Sequence, residues 1–209
     1  MINILKIIQI NILNKMNIGK NIIFLDIDNT LLVPQNIYIY YKRGEIKKTY
    51  TPEEYAALNV KTEDKKWYDY SDFRDAKIIR NSIETSMPLE KNLEIVDEFI
   101  KNNYELGILT ARGQENLIAH IMPKWLKRNV NNKFKKIKRE NIHAINDITG
   151  KYMGVTDGEK KLSVLIEHVE SKKYDNIVFI DDNKYTIDLI NEYNKTVKRS
   201  KRIQTIFVE

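Results

Sequence analysis

Three short apolar runs, each ending in a polar residue, constrain this chain more than any other feature. Ile22-Ile23-Phe24-Leu25 ends in Asp26, Leu106-Gly107-Ile108-Leu109 ends in Thr110, and Asn176-Ile177-Val178-Phe179-Ile180 ends in Asp181-Asp182. Uninterrupted apolar runs of this length predict strands buried on both faces, as in parallel sheets covered by helices. Ile142-His143-Ala144-Ile145 predicts a fourth strand, and Ile203 to Val208 a last one. Helical patterns alternate with them. Pro88 to Asn102 places Leu89, Leu93, Ile95, Val96, Phe99 and Ile100 on one broad face, and Gln114 to Val130 and Lys160 to Val169 also read as helices. The alternation predicts an α/β fold with a doubly wound, mostly parallel sheet. Ligands in such sheets bind beyond the carboxyl ends of the strands, so Asp26, Thr110, Asp181 and Asp182 are expected at one rim.

Residues 33–85 interrupt the alternation. Tyr38 to Tyr50 reads as a β-hairpin turning near Arg43-Gly44, and Thr51-Pro52-Glu53-Glu54 is a capping box opening a short helix through Leu58. A polar, aromatic stretch from Lys65 to Asp75 follows. An insertion here would sit above the strand rim as a small cap. Residues 21–209 form the core around it. Residues 1–20 are Ile-rich but broken by Asn and Lys, without a signal-peptide pattern, and read as an N-terminal extension. No apolar run approaches the roughly 20 residues of a membrane span, so no membrane partner and a cytoplasmic location are expected.

Composition narrows the chemistry. The chain has no cysteine, which excludes a disulfide scaffold, a zinc-thiolate site and a thiol nucleophile. The net charge of +6 hints at a polyanionic partner. Abundant Ile, Asn and Lys also point to a coding sequence biased toward A and T, which inflates Lys without functional cause.

Each polar strand end has a plain reading and a chemical one. Asp26-Ile27-Asp28-Asn29-Thr30 is either an Asp-rich turn or a pair of carboxylates able to act as nucleophile and acid/base and to attract a hard divalent cation. Thr110-Ala111-Arg112-Gly113 is either an ordinary helix cap or a phosphate cradle. Lys160-Lys161, opening a helix, is either solvated or directed at an anion. Asp181-Asp182 repel each other unless a cation or donors offset the cost.

Taken in order, D-x-D-x-T, a hydrophobic run ending in Thr, a Lys, and a hydrophobic run ending in Asp-Asp resemble the motifs of the haloacid dehalogenase (HAD) superfamily of phosphohydrolases, with their Rossmann-like sheet. The resemblance spans residues 22 to about 190. It implies that Asp26 attacks phosphorus to form an aspartyl-phosphate, and that Asp28 protonates the leaving oxygen and then activates water. It implies Mg²⁺ held by Asp26, the Asp28 backbone carbonyl and Asp182, with Asp181 as the alternative. Thr110 and Lys161 would bind the phosphoryl oxygens, with Lys160 as the alternative to Lys161.

The substrate is less constrained. Thr110-Ala111-Arg112 resembles the T-x-R signature of polynucleotide 3′-phosphatase domains and phage- or virus-type HAD proteins, which would place the chain in a host cytoplasm. Arg112 then reads as a bidentate phosphate contact, or as a structural ion pair. Lys124 to Arg139 holds eight Lys/Arg around Trp125 and Phe134, and Val197 to Arg202 adds four more. Basic residues interleaved with aromatics suit single-stranded nucleic acid, and Tyr38, Tyr40, Tyr41, Trp67, Tyr68 and Tyr70 offer further stacking faces. The alternatives are a small sugar or nucleotide phosphate as substrate, or a nucleic-acid-binding module with a vestigial core. His120, His143 and His168 are scattered and read as structural.

Overall fold

The structure is a computed structural model that describes residues 19–58 and 60–208; the extension expected at 1–20 lies almost wholly outside them. The elements in chain order are β1 (Asn21–Leu25), β2 (Leu32–Val33), β3 (Ile39–Arg43), β4 (Ile46–Tyr50), α1 (Pro52–Ala57), β5 (Tyr68–Asp69), α2 (Ala76–Thr85), β6 (Met87–Pro88) and α3 (Glu90–Lys101). They continue with β7 (Glu105–Thr110), α4 (Glu115–Asn129), β8 (Ile142–Ala144), α5 (Asp157–Glu170), β9 (Asn176–Asp181), α6 (Lys184–Thr196) and β10 (Gln204–Phe207).

Five strands form one parallel sheet in the order β10-β9-β1-β7-β8. Its centre is β1, all five residues of which are buried. Because side chains alternate across a strand, β1 feeds two cores. Ile23 and Leu25 join Leu93 and Val96 of α3 and Ile118 and Met122 of α4 on one face. Ile22 and Phe24 join Val164 and Leu165 of α5 and Ile187 and Ile190 of α6 on the other. The chain is therefore α/β, with a five-stranded parallel sheet flanked by helices. Gly107 of β7 is required by this packing: a Cβ there would lie 2.5 Å from the Phe24 ring.

The segment between β1 and α2 builds a separate three-stranded antiparallel sheet, β4-β3-β5. The hairpin turns through Gly44, which has φ +60°. The capping box forms reciprocally: the Glu54 N–H donates to Thr51 Oγ1 and the Thr51 N–H to Glu54 Oε2. Tyr41, Tyr55 and Tyr70 gather around Tyr68 and each other, and the Tyr55 and Tyr70 hydroxyls meet at 2.5 Å. These rings consolidate the small sheet. Ile79 and Ile83 of α2 belong to the main core.

Candidate active site

The rim site starts with the parallel pairing of β1 and β9. Asp26 follows β1 directly, and its N–H still donates to Ile180 O at 3.1 Å. The chain then turns sharply, with the Leu31 and Leu32 N–H groups returning to Ile27 O and Asn29 taking φ +53°. The turn brings Thr30 back to the end of β9. There its hydroxyl accepts from the Asp182 N–H at 3.0 Å and donates to Asp182 Oδ1 at 3.3 Å. Asn92 of α3 fixes the turn by donating to Thr30 O at 2.8 Å. Thr30 and Asn92 were not among the expected site residues; the Thr of D-x-D-x-T was the available signal for the first, and nothing local marks the second.

Lys161 reaches the same place from α5. Its ammonium donates to Asp26 Oδ1 and to Asp181 Oδ2, both at 2.9 Å. The three side chains are only 5%, 7% and 0% exposed. The sequence predicts that Lys160-Lys161 opens this helix, and the structure corrects that. The helix starts at Asp157, because Thr156 and Glu159 form a reciprocal capping box. Lys161 thus lies past the first turn and points inward. Lys160 instead donates to Asn146 Oδ1 at 2.7 Å, and Asn146 in turn donates to Ala111 O and Asp157.

Thr110 closes β7, fully buried, and its hydroxyl oxygen accepts from the Arg112 N–H at 3.3 Å. Arg112 has no solvent exposure. Its guanidinium donates from Nε to Asp28 Oδ2 at 2.9 Å and from Nη2 to Asp28 Oδ1 at 2.5 Å. It also reaches Ser82 Oγ at 3.1 Å and Ile79 O at 3.4 Å on α2. The geometry matches the ion-pair alternative for Arg112, with Asp28 as its partner across the site. At the start of α4, the Glu115 N–H is taken by Asp147 at 2.9 Å. That amide is not open to an anion.

The electrostatics follow from the burial. Desolvation raises the Asp26 pKa well above the carboxylate range; Lys161 opposes this, and Asp181, Asp182 and Asp28 add to it. Desolvation and Asp181 raise Asp182 to about 7. Desolvation works against the charge of Lys161, but Asp181 and Asp26 outweigh it and hold the ammonium protonated. Four carboxylates (Asp26, Asp28, Asp181, Asp182) gather around two cations, Lys161 and Arg112. Asp26, Asp181 and Asp182 each offer an oxygen within 4.8 Å of the others. Such an oxygen-only donor set is of the kind that could hold a hard divalent cation. The Asp28 carboxylate, turned to Arg112, is not in that cluster.

Two expectations about aromatic residues are corrected. Trp125 is 3% exposed and belongs to the core, and Phe134, partly buried, packs against it. Trp125 is not free to stack a base. The histidines are not all scattered either. His143 Nε2 and His168 Nε2 lie 2.9 Å apart, and His143 Nδ1 meets the Tyr152 hydroxyl, which donates to Glu115. No helix among the described residues is long and apolar enough to cross a membrane. No protein-family model, no curated protein and no solved structure matches this chain.

Proposed function

We propose that this chain is an Mg²⁺-dependent phosphomonoesterase of the HAD type, with a doubly wound sheet whose order reverses at β1. One observation carries the reading: the Lys161 ammonium bridges Asp26 and Asp181 at 2.9 Å each, inside a buried carboxylate cluster at the strand rim. A buried nucleophilic carboxylate beside a fixed ammonium is what in-line phosphoryl transfer needs, since its catalysis is mainly positioning and charge neutralisation.

In this reading Asp26 Oδ attacks phosphorus. The ester P–O bond breaks, and the leaving oxygen takes a proton from Asp28. Asp28 then takes a proton from water, whose oxygen attacks the phosphorus of the aspartyl-phosphate and frees Asp26 and inorganic phosphate. Lys161 and the Thr110 hydroxyl hold phosphoryl oxygens. Arg112 is a positioning residue that sets the direction of the Asp28 carboxylate. Asp26 and Asp182, with Asp181 beside them, would hold Mg²⁺, which supplies charge neutralisation at the phosphoryl oxygens.

The substrate we propose is the phosphate of a nucleotide or a nucleic-acid end. The exposed Lys133, Lys135, Lys136, Lys198 and Arg199 support it, none with an ion pair among the described residues. A small sugar or nucleotide phosphate is the second reading, favoured by the burial of Trp125 and by the tyrosines being packed among themselves. A vestigial binding module is opposed by the complete carboxylate and lysine set. The decisive experiment compares 3′-phosphorylated oligonucleotides, mononucleotides and sugar phosphates as substrates with and without Mg²⁺. Absence of turnover on all three, with the protein folded, would refute the enzyme reading.

A further inference from the structure

Away from the rim, α2 and α4 leave between them a cavity of about 410 Å³. Its charge is one-sided. Arg80 of α2 and Lys124, Lys127 and Arg128 of α4 line it, against a single carboxylate, Glu84. Glu84 already pairs with Arg80 at 3.7 Å. Lys124, Lys127 and Arg128 have no ion pair among the described residues, and the Lys124 ammonium meets only His120 Nε2, at 2.8 Å.

Lys124 has like charges three and four residues on, at Lys127 and Arg128. Residues three and four apart share a helix face, and like charges there destabilise. Elsewhere the protein pairs such lysines: Lys101 with Glu98, Lys184 with Asp188, Lys195 with Glu192. Along the cavity, Lys124, Lys127 and Arg128 have no such partner among the described residues. The cavity also has an apolar side, from the buried Ile83 and Ile121. Its volume falls within the roughly 300–1,000 Å³ of small-molecule sites.

Several uncompensated cations call for more than one phosphate, and the two isoleucines call for a flat apolar group beside them. We propose that this cavity is a second ligand site, separate from the carboxylate cluster, that binds a free nucleoside polyphosphate. The phosphates lie against Lys124, Lys127, Arg128 and Arg80, and the base lies against Ile83 and Ile121. One helix separates the two sites: Ile79 and Ser82 of α2 touch Arg112, while Arg80, Ile83 and Glu84 face the cavity.

The test is calorimetric titration of the full chain with ATP in EDTA, so that turnover plays no part. The expected result is one binding event, weakened about tenfold or more in a Lys124→Glu/Lys127→Glu variant because two charge-assisted contacts become repulsive. Asp26→Asn leaves the affinity within about twofold if the site is separate. Inorganic tripolyphosphate, which has the charge but no base, binds more weakly than ATP. The double variant's exposed positions make folding a minor concern, and circular dichroism checks it. No ATP binding, binding indifferent to the charge reversal, or binding lost in Asp26→Asn would each overturn the proposal. So would tripolyphosphate binding as tightly as ATP, or an oligothymidylate binding more tightly.

Discussion

Arg112 holds Asp28 through two hydrogen bonds, at 2.9 and 2.5 Å, from a position with no exposure to solvent. The pair ties the loop after β7 to the turn after β1, and through Ser82 and Ile79 it ties both to α2. Removing the guanidinium strands Asp28 and leaves a hole between three elements. Arg112→Ala is expected to cost about 3 kcal/mol of stability, as for breaking a buried pair. Arg112→Lys keeps the charge but loses the fork, so it should lower kcat at least about tenfold with a smaller stability loss. Urea titrations and kinetics on the two variants check this. A Lys variant with wild-type kcat would remove Arg112 from the positioning role.

Asp26→Asn preserves the shape of the site and removes the proposed nucleophile. Hydrolysis of p-nitrophenyl phosphate is expected to fall by about 10³-fold or more. Lys161 keeps its bond to Asp181, so the fold should persist. The measurement is steady-state turnover of purified protein with circular dichroism in parallel. Substantial residual activity would show that another group attacks phosphorus.

Mg²⁺ should stabilise the folded chain, because only the folded state brings Asp26, Asp181 and Asp182 together. Thermal melting with Mg²⁺, against NaCl of matched ionic strength, should show a higher Tm. In Asp182→Asn the increase should shrink, and the Mg²⁺ concentration for half-maximal activity should rise about tenfold. Equal Tm values in the two salts would argue against a cation in this cluster.

His143 and His168 predict a stability change with acid. Burial first, then His168 beside His143 and Lys173 beside His168, hold both imidazoles at about 4, below their ordinary 6.5. The unfolded chain therefore takes up protons first as pH falls. Stability from the pair is complete above 6.5 and is lost between 6.5 and about 4. Asp182, raised to about 7, acts in the opposite sense and gains stability as pH falls. The comparison must therefore be with His168→Gln. Between pH 7 and 5 the wild type should lose about 1 kcal/mol more than the variant, allowing for partial exposure of His168. Parallel urea titrations at the two pH values measure the difference, and identical losses would contradict the assignment.

Much of this was legible in the sequence because strand burial is written locally. Ile22 to Leu25 and Ile177 to Ile180 are apolar at every position, and β1 and β9 are buried on both faces. The residue after each run then had to lie at the rim. The capping box at Thr51 was equally local. The helix α5 starts three residues before Lys160, because the Thr156–Glu159 capping box sets its first turn. The partner of Arg112 could not be read at all: Asp28 lies 84 residues away.

What the sequence determined by itself is therefore the alternation of buried strands and helices and the set of polar strand ends, since hydrophobic pattern and capping act over a few residues. What only the tertiary structure decided is who faces whom. It turned Arg112 onto Asp28, chose Lys161 over Lys160 to bridge Asp26 and Asp181, sank Trp125 into the core, and brought His143 to His168. Each joins elements far apart along the chain, where burial makes the geometry of one particular partner worth more than any neighbour in sequence.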